Sequence, residues 1–342
     1  MASLSGWQYR KKLTIDKTKV DADLTDFPVT VILTSSNFNF SKARSDGYDI
    51  RFTSSDGTTL LKYERERHDS SNQVAEYLVK IPSVSSSSNT DFYIYYGKSD
   101  ASDGADSTNV WDSYFKGVWH LKDYTTSQVN DSTSNANNGT KKAANEPLEV
   151  NAKIGKGQQF DGVNDYINCG NNSSLNIITF TIECWIKYNS LSNAQVHITK
   201  GVASSGQNWH IIWRPEVPDV DATIYGSTSK AIFHTNPSTG VWYYYVATYQ
   251  DTGSSTIITA FLNGVQTSQV TSSLRLSNVS GDNFYMGQLG SGNWTNGIID
   301  EVRISSVARS AAWIKASYNS GNDTLLSYGS EELLPTFFLF FN

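Results

Sequence analysis

Short segments in which apolar and polar residues alternate recur along the whole chain, separated by turns rich in Gly, Ser, Asn and Asp. A period of two is typical of a half-buried β-strand, because successive side chains point to opposite faces. In the first part of the chain this pattern predicts strands at residues 9–16, 28–33, 49–53, 60–66, 75–81 and 92–96. Turn signals at residues 45–47 and 55–57 separate some of them, so we predict a β-sandwich here.

Near the end of the chain, residues 292–319 combine a glycine-containing turn, a strand and a short helix. The strand is predicted to run from about Ile298 to Ser305, and Ser310 is predicted to cap one or two helical turns. A regular strand places Asp300, Val302 and Ile304 on one face and Ile299, Glu301 and Arg303 on the other. Asp300 and Glu301 then face opposite ways and cannot act as a carboxylate pair.

Five motifs in the second half occur in a characteristic order. They are FDGVNDYINCG at 160–170, FTIECWIKY at 180–188, WYYYVATY at 242–249, FLNGVQ at 261–266 and IIDEVRI at 298–304. In order and spacing, from about residue 110 to 318, they resemble the laminin-G-like, concanavalin A-like jelly-roll modules. The resemblance implies a second β-sandwich, of a class that mostly binds ligands rather than transforming them.

The first half carries a second resemblance. The segments WQYRKKLTID, DFPVTVIL, DGYDIRFTSSDG, LLKYERE, VKIP and YIYYG are similar, in order, to a domain of unknown function. That domain is often found before laminin-G-like modules in bacterial, archaeal and phage surface proteins. The predicted fold is therefore all-β, with two β-sandwich (jelly-roll) domains. The predicted boundaries are 1–97 for the N-terminal sandwich, 98–109 for a polar linker, 110–330 for the laminin-G-like domain and 331–342 for an apolar C-terminal tail.

Composition and charge narrow the class of protein. The chain has 27 Lys and Arg against 33 Asp and Glu, a net charge of −6, which argues against a nucleic-acid-binding surface. No apolar signal-peptide region is visible at the start, and no stretch reaches the ~20 apolar residues of a membrane helix. With the many aromatic and small polar residues, these features lead us to expect an extracellular or virion-surface protein without a membrane span.

Catalytic patterns are missing from the sequence. Laminarinase-type glycosidases of the same sandwich class carry E-x-D-x-x-E on one strand, and this motif does not occur here. Glu64 and Glu66 alternate with Arg65 and Arg67, which predicts a solvated strand with cross-strand ion pairs. The histidines, at positions 68, 120, 197, 210 and 234, form no metal or triad pattern. We therefore predict a non-catalytic protein, because a glycosidase would need carboxylates paired only by tertiary structure.

Calcium is the cofactor that the residues favour, because hard cations take oxygen ligands from carboxylates, amides and carbonyls. Laminin-G-like modules sometimes hold one calcium ion near the sandwich edge, which the resemblance extends to this chain. The candidate ligands are Asp131, Asp300 and Asp165. The alternatives are an Asx turn for Asp131, a hairpin turn for Asp165 and hydrogen bonds to an inward-facing Asp300.

Glycan binding depends on aromatic rings, because the apolar face of a sugar stacks on Trp or Tyr. Trp294 lies in the loop GSGNWTNG beside Asn293, a composition that suits a ligand-binding loop. Trp209 and Trp213 are four residues apart, so they share a face if their strand is regular. The alternative for both tryptophans is the core.

Two further features leave alternatives open. Cys169 and Cys184 are the only cysteines, and their spacing allows either a disulfide or two free thiols. The tail contains Phe337, Phe338, Leu339, Phe340 and Phe341 after a proline. This apolar run is predicted to dock as a sheet-edge strand or to pack into a neighbouring subunit. A third interpretation is that it is the start of a membrane anchor.

The sequence thus favours a non-catalytic surface or structural protein of a virion or a cell envelope. On a virion it would be a decoration, fibre or tail-associated protein, and the second domain would bind a glycan or a protein. The alternative is a pair of carbohydrate-binding modules from a glycan-degrading system.

Overall fold

The structure is a computed structural model that describes residues 3–201, 209–276, 281–290 and 292–335. Within these ranges the chain forms 24 strands and one α-helix, which confirms the all-β prediction. The chain divides into two compact units. One extends to Asp112 and takes in the chain from Lys315 onward, and the other is Ser113–Ile314.

The first unit begins with strands that match the predicted positions. They are β1 Tyr9–Ile15, β2 Leu24–Thr34, β3 Arg51–Ser54, β4 Tyr63–Asp69, β5 Val74–Val84 and β6 Thr90–Tyr96. On β2 the side chains of Phe27, Val29, Val31 and Leu33 are fully buried at every second position, as the alternation predicts. Short 3₁₀ helices lie at Lys17–Lys19, Phe40–Lys42 and Ser107–Asn109.

The second unit contains the next seventeen described strands and a 3₁₀ helix at Ser173–Leu175. The strands are β7 Phe115–Trp119, β8 Asp123–Thr125, β9 Gln128–Val129, β10 Gly139–Lys141, β11 Leu148–Asn151, β12 Lys156–Asp161, β13 Ile167–Asn168, β14 Phe180–Tyr188, β15 Gln195–Lys200, β16 Trp209–Arg214, β17 Asp219–Ile224, β18 Lys230–Ile232, β19 Trp242–Asp251, β20 Thr256–Leu262, β21 Val265–Ser272, β22 Phe284–Met286 and β23 Asn296–Ser305. Helix α1 Ala311–Gly321 and strand β24 Leu326–Leu333 follow.

Each unit is built from two antiparallel sheets. In the first unit the described strands pair in the orders β24-β1-β6-β3 and β2-β5-β4. In the second unit the orders are β18-β17-β16-β15-β22-β13-β10-β9-β8 and β11-β12-β23-β14-β19-β20-β21, with β7 also paired to β23. A single apolar cluster draws residues from both sheets of the second unit, and in it Trp119 stacks on Phe284 with ring centroids 5.1 Å apart.

The C-terminal boundary differs from the predicted one at residue 330. Strand β24 pairs antiparallel with β1, so that Leu333 lies opposite Tyr9 and Leu326 opposite Ile15. Residues 326–330, predicted to end the second domain, and the start of the predicted tail therefore complete a sheet of the first unit. The apolar residues 337–341 lie outside the described residues.

The predicted linker, residues 98–109, is fastened to the first unit. Arg65 makes two hydrogen bonds to Asp103, at 2.8 and 2.6 Å, and Arg44 donates to the Ser99 carbonyl at 2.8 Å. The backbone N–H of Asp106 donates to the Tyr63 carbonyl at 2.8 Å. A polar composition alone does not show such contacts, which is why the segment resembled a free linker.

The face assignment predicted for β23 is wrong. Ile299, Val302 and Ile304 all lie in the core of the second unit, although a regular strand would place Ile299 on the other side. Glu301 has a left-handed backbone with φ of 50°, and the pairing with β14 shifts register at this point. This β-bulge inserts one residue and reverses the parity, so Asp300 does not share a face with Val302.

Two smaller predictions can be compared with the structure. Ser310 Oγ accepts a hydrogen bond from the Trp313 N–H at 3.2 Å, which is the predicted cap, although the helix is longer than one or two turns. Cys169 and Cys184 are both buried and free.

Among the described residues, no helix has the length and apolar character needed to cross a membrane.

Candidate functional site

Three aromatic rings meet on the second unit, and we call them the aromatic platform: Tyr166, Tyr285 and Trp294. Tyr166 and Trp294 stack with centroids 6.3 Å apart and an interplanar angle of 26°. Tyr285 meets Tyr166 edge-on at 6.0 Å. All three rings are half-buried, so part of each reaches solvent.

The strand pattern explains why these rings point outward. Ile167 and Met286 are paired neighbours on β13 and β22, and both lie in the core. Because side chains alternate across a strand, Tyr166 and Asn168 flank Ile167 on the opposite face, and Tyr285 does the same beside Met286. The platform therefore lies on the outer face of the longer sheet.

Polar groups surround the platform. Asn168 lies directly opposite Tyr285 in the pairing of β13 with β22. Asn283 Nδ2 donates to Tyr285 Oη at 3.1 Å, and the Lys142 N–H donates to the Tyr166 carbonyl at 3.0 Å. Rings that offer an apolar face beside side-chain amides can stack on a sugar and fix its hydroxyl groups.

The loop that carries Trp294 is held from both sides. The Asn293 carbonyl accepts from the Val196 N–H at 2.8 Å, and Thr295 Oγ1 donates to the Val196 carbonyl at 2.9 Å. The Thr295 N–H donates to the Gly287 carbonyl at 2.9 Å. Asn293 is exposed, with a left-handed φ of 55°. These contacts fix the tryptophan before a ligand arrives, which lowers the entropic cost of binding.

The structure places the other two tryptophan candidates in the core. Trp209 and Trp213 share a face, as predicted, but that face is the inner one, and the residues are 1% and 3% exposed. Trp213 Nε1 donates to the Leu191 carbonyl at 3.2 Å. As ligand contacts these two predictions are wrong, because a ligand cannot reach either ring from solvent.

Asp131 organises a loop. Its Oδ1 accepts from the N–H groups of Val118 and Thr133, both at 2.9 Å. Its Oδ2 accepts from Thr133 Oγ1 at 2.9 Å and from the Asn137 N–H at 2.8 Å. Each oxygen thus has two donors, which uses the accepting capacity of a carboxylate. This arrangement is the turn alternative to a calcium ligand.

Asp300 and Asp165, the other two calcium candidates, lie on different elements. Asp300 Oδ2 accepts from the Ile154 N–H at 2.8 Å, and the side chain is buried. Asp165 lines a separate cavity between two loops. Among the described residues, no group of three or more His, Cys, Asp or Glu side chains is arranged to hold a metal ion.

A buried ionic network occupies β23 and its neighbours. His120 Nδ1 lies 2.5 Å from Glu301 Oε1, and the Arg303 guanidinium bonds to the other Glu301 oxygen. Burial acts to raise the pKa of Glu301, but the charges of His120 and Arg303 outweigh it and hold the pKa below its usual range. Burial raises the pKa of Glu183, whose carboxylate accepts from Tyr244 Oη. A low pKa does not suit Glu301 as a general acid near neutral pH.

Glu64 and Glu66 are also buried rather than solvated, which corrects the prediction of a solvated strand. Glu64 Oε2 accepts from Trp111 Nε1 at 3.0 Å. The predicted cross-strand ion pair is nevertheless present nearby, because Arg67 makes two hydrogen bonds to Glu76 on β5.

Two family models match the chain. Residues 161–315 match the Concanavalin A-like lectin/glucanases superfamily (Laminin_G_3), and residues 46–137 match a Domain of unknown function (DUF2341). The second unit is thus a lectin-like sandwich domain. The chain carries a DUF2341 domain followed by a laminin-G-like domain, in the order that the sequence predicted. A search of the curated proteins gave no match.

Several solved structures are similar to parts of this chain. Domain 4 of AbnA, a GH43 extracellular arabinanase from Geobacillus stearothermophilus, in complex with arabinotriose, is 16% identical, with a TM-score of 0.48, and the match covers 62% of this chain and 98% of that one. A mutant Trypanosoma rangeli sialidase is 12% identical over 66% and 35% of the two chains, with a TM-score of 0.47. The botulinum neurotoxin serotype D binding domain is 14% identical over 63% and 52%, with a TM-score of 0.47.

Proposed function

We propose that the second unit is a glycan-binding module that uses the aromatic platform. The observation that carries this proposal is the outward-facing stack of Tyr166 on Trp294, beside Tyr285 and its amide neighbours. Membership of a lectin and glucanase superfamily supports a carbohydrate as the ligand. The loop contacts that fix Trp294 supply the preorganisation that stacking requires.

The expected affinity sets the choice of assay. A single sugar ring has roughly a dozen non-hydrogen atoms, and at about 0.3 kcal/mol per atom it would bind with about 4 kcal/mol. This corresponds to a dissociation constant of roughly 1 mM. A glycan array, in which many copies of each glycan are displayed, detects such binding through avidity, and calorimetry with an oligosaccharide then measures it.

The test compares two tryptophan variants. Trp294→Ala should abolish binding on the array, whereas Trp242→Ala, which removes another half-buried tryptophan on β19, should leave it intact. Tyr166→Ala should weaken binding, and Tyr124→Ala, at an exposed tyrosine, should not. Silence of the wild-type protein on the array, or equal binding by Trp294→Ala, would contradict the proposal.

The setting of the module is a separate part of the proposal. We place the protein on the surface of a virion or a cell envelope, as a non-catalytic component that displays or binds. The resemblance of the first half to a domain of surface proteins supports this setting. Immunogold labelling of intact particles or cells should decorate their surface, and label confined to the interior would contradict it.

The second candidate is a carbohydrate-binding module pair from a glycan-degrading system. This candidate uses the same aromatic platform, but the protein would then work beside glycan-degrading enzymes rather than as a component of a virion or cell surface. Incubating the protein with any glycan that it binds, and assaying for released reducing ends, tests the non-catalytic assignment. Turnover by the wild-type protein would contradict that assignment. It would do so even if Glu301→Gln and Glu183→Gln kept the turnover, because the chain has other buried carboxylates.

Assembly through the apolar residues Phe337, Phe338, Leu339, Phe340 and Phe341 stays a proposal based on sequence. Five such side chains, each worth roughly 1.5–3 kcal/mol when buried, could stabilise a contact by on the order of 10 kcal/mol. Removing residues 336–342 should change the mass in solution or lower the melting temperature. If neither changed, assembly through the tail would be wrong.

A further inference from the structure

The second unit also has a polar cavity, and none of the three platform rings lines it. It has a volume of about 320 Å³ and lies between the loop after β10 and the turn between β12 and β13. We call it the rim pocket. Its lining includes Lys142, Glu146, Gln159, Asp161, Asn164 and Asp165. The volume is at the lower end of the range for ligand sites.

The rim pocket has an unsatisfied acceptor. Asp165 is only 5% exposed, and its Oδ2 accepts from the Asp161 N–H at 2.9 Å. The other oxygen, Oδ1, is buried and has no hydrogen-bond partner in the part of the chain that the structure describes. Leaving a buried polar atom unpaired is costly, so a ligand that brings a donor to Oδ1 would gain free energy.

The charges of the rim pocket are unbalanced. It contains the carboxylates of Glu146, Asp161 and Asp165 and one ammonium group, that of Lys142. Lys142 Nζ lies 2.7 Å from Glu146 Oε2, so its charge is already engaged. Two negative charges remain in excess, and a ligand that carried a carboxylate would meet repulsion.

The rim pocket is linked to the platform through the chain and through one hydrogen bond. Asp165 directly precedes Tyr166, and Lys142, which lines the pocket, donates its N–H to the Tyr166 carbonyl at 3.0 Å. A glycan that stacks on Tyr166 would reach the pocket with its neighbouring sugar residue if it extends towards Asp165. The pocket also offers three side-chain amides, from Asn145, Gln159 and Asn164, which suit hydroxyl groups.

We infer that the rim pocket holds a neutral sugar residue, whose hydroxyl groups donate to Asp165, and that it rejects glycans ending in an acidic sugar. The inference rests on the proposed function, because it assigns a second subsite to the same glycan. It adds specificity: the platform stacks on the sugar, and the rim pocket selects by charge.

The test uses an array of neutral oligosaccharides, each matched by the same oligosaccharide ending in sialic or uronic acid. The wild-type protein should bind neutral members and not their acidic partners. Asp165→Asn should weaken neutral binding by roughly ten- to hundredfold, the usual effect of losing a hydrogen bond to a charged group. Glu146→Gln, at a partly exposed carboxylate, should improve binding of acidic partners by roughly two- to fivefold.

The outcomes separate the two proposals. Equal binding of neutral and acidic partners, or unchanged neutral binding in Asp165→Asn, overturns the pocket assignment and leaves the platform standing. Silence of the whole array overturns both. Calcium chloride alone is the control for the other predicted occupant: a rise in melting temperature that Asp165→Asn removes would make the rim pocket a cation site. If Asp165→Asn fails to fold, two results still test the pocket assignment. Gln159→Ala should weaken neutral binding, and the wild-type protein should prefer neutral members of the array to their acidic partners.

Discussion

His210 should make the second unit acid-sensitive, and replacing it should remove a defined part of that sensitivity. The side chain lies on β16, is 2% exposed, and has no hydrogen-bond partner at either ring nitrogen among the described residues. Burial lowers the pKa of His210 to about 3, and the nearby charges of Arg214 and Lys230 act in the same direction. The folded protein therefore keeps this ring neutral well below neutral pH.

The sign and size of the effect follow from linkage. An unfolded histidine has a pKa of about 6.5, so below that pH the unfolded chain binds a proton that the folded chain refuses. The full stability is present above pH ~6.5 and is lost progressively as the pH falls towards 3. At pH 5 the solution lies about 1.5 pKa units below the unfolded value, which at about 1.4 kcal/mol per unit gives a loss of about 2 kcal/mol.

The assay is urea unfolding at pH 7 and pH 5, followed by tryptophan fluorescence. His210→Leu removes the titrating group and both unpaired nitrogens, so its loss of stability between the two pH values should be smaller than the wild-type loss by about 2 kcal/mol. Shifts from the carboxylates occur in both proteins and cancel in this comparison. His234→Asn is the control, because it replaces a histidine whose side chain is 63% exposed.

A pH dependence that is the same in His210→Leu and the wild type would refute the reasoning. It would mean that His210 takes up its proton in the folded state, and hence that the ring finds water or a partner on protonation. A larger pH effect in the variant would refute the sign as well.

Three other outcomes follow from the contacts. Asp131→Ala should destabilise the second unit by about 2–4 kcal/mol in urea because four donors lose their acceptor, whereas Ser134→Ala, at an exposed neighbour, should change little. Cys169 and Cys184 should resist alkylation in the folded protein and both react once it is unfolded; an intact mass lower by two hydrogen atoms would show a disulfide instead. Ending the chain before Leu326–Leu333 should lower the melting temperature of the first unit, because β1 loses an antiparallel neighbour, and an unchanged transition would contradict this role.

The local part of the fold could be predicted, and the long-range part could not. The strand Leu24–Thr34 was predictable because its fully buried side chains, those of Phe27, Val29, Val31 and Leu33, fall at every second position in the sequence itself. The pairing of Leu326–Leu333 with Tyr9–Ile15 joins segments from opposite ends of the chain. No local pattern reports such a partner, so the predicted domain boundary fell in the middle of a strand.

The candidate site was predicted in part for the same reason. Trp294 was identified because glycine and asparagine neighbours indicate a loop. Tyr166 was missed because it lies in the motif at 160–170, which was used only as a marker of the fold, and Tyr285 because it lies in none of the motifs. Their positions next to Ile167 and Met286 contained the signal, since a ring beside a core residue on a strand faces outward. The same parity on β16 would have shown that His210 and Arg214 mark the outer face, and hence that the tryptophans point inward.

The bulge at Glu301 shows where parity itself fails. A glutamate with a left-handed backbone costs on the order of 1 kcal/mol, and no feature of IIDEVRI predicts it. The conformation aligns the Glu301 carboxylate with His120, from the segment after β7, and with Arg303, from β23 itself. Only the folded protein brings these charges together, so a rule based on alternation assigns every residue before the bulge to the wrong face. The same charges keep Glu301 ionised, and this argues against Glu301 as a general acid, whichever face Asp300 occupies.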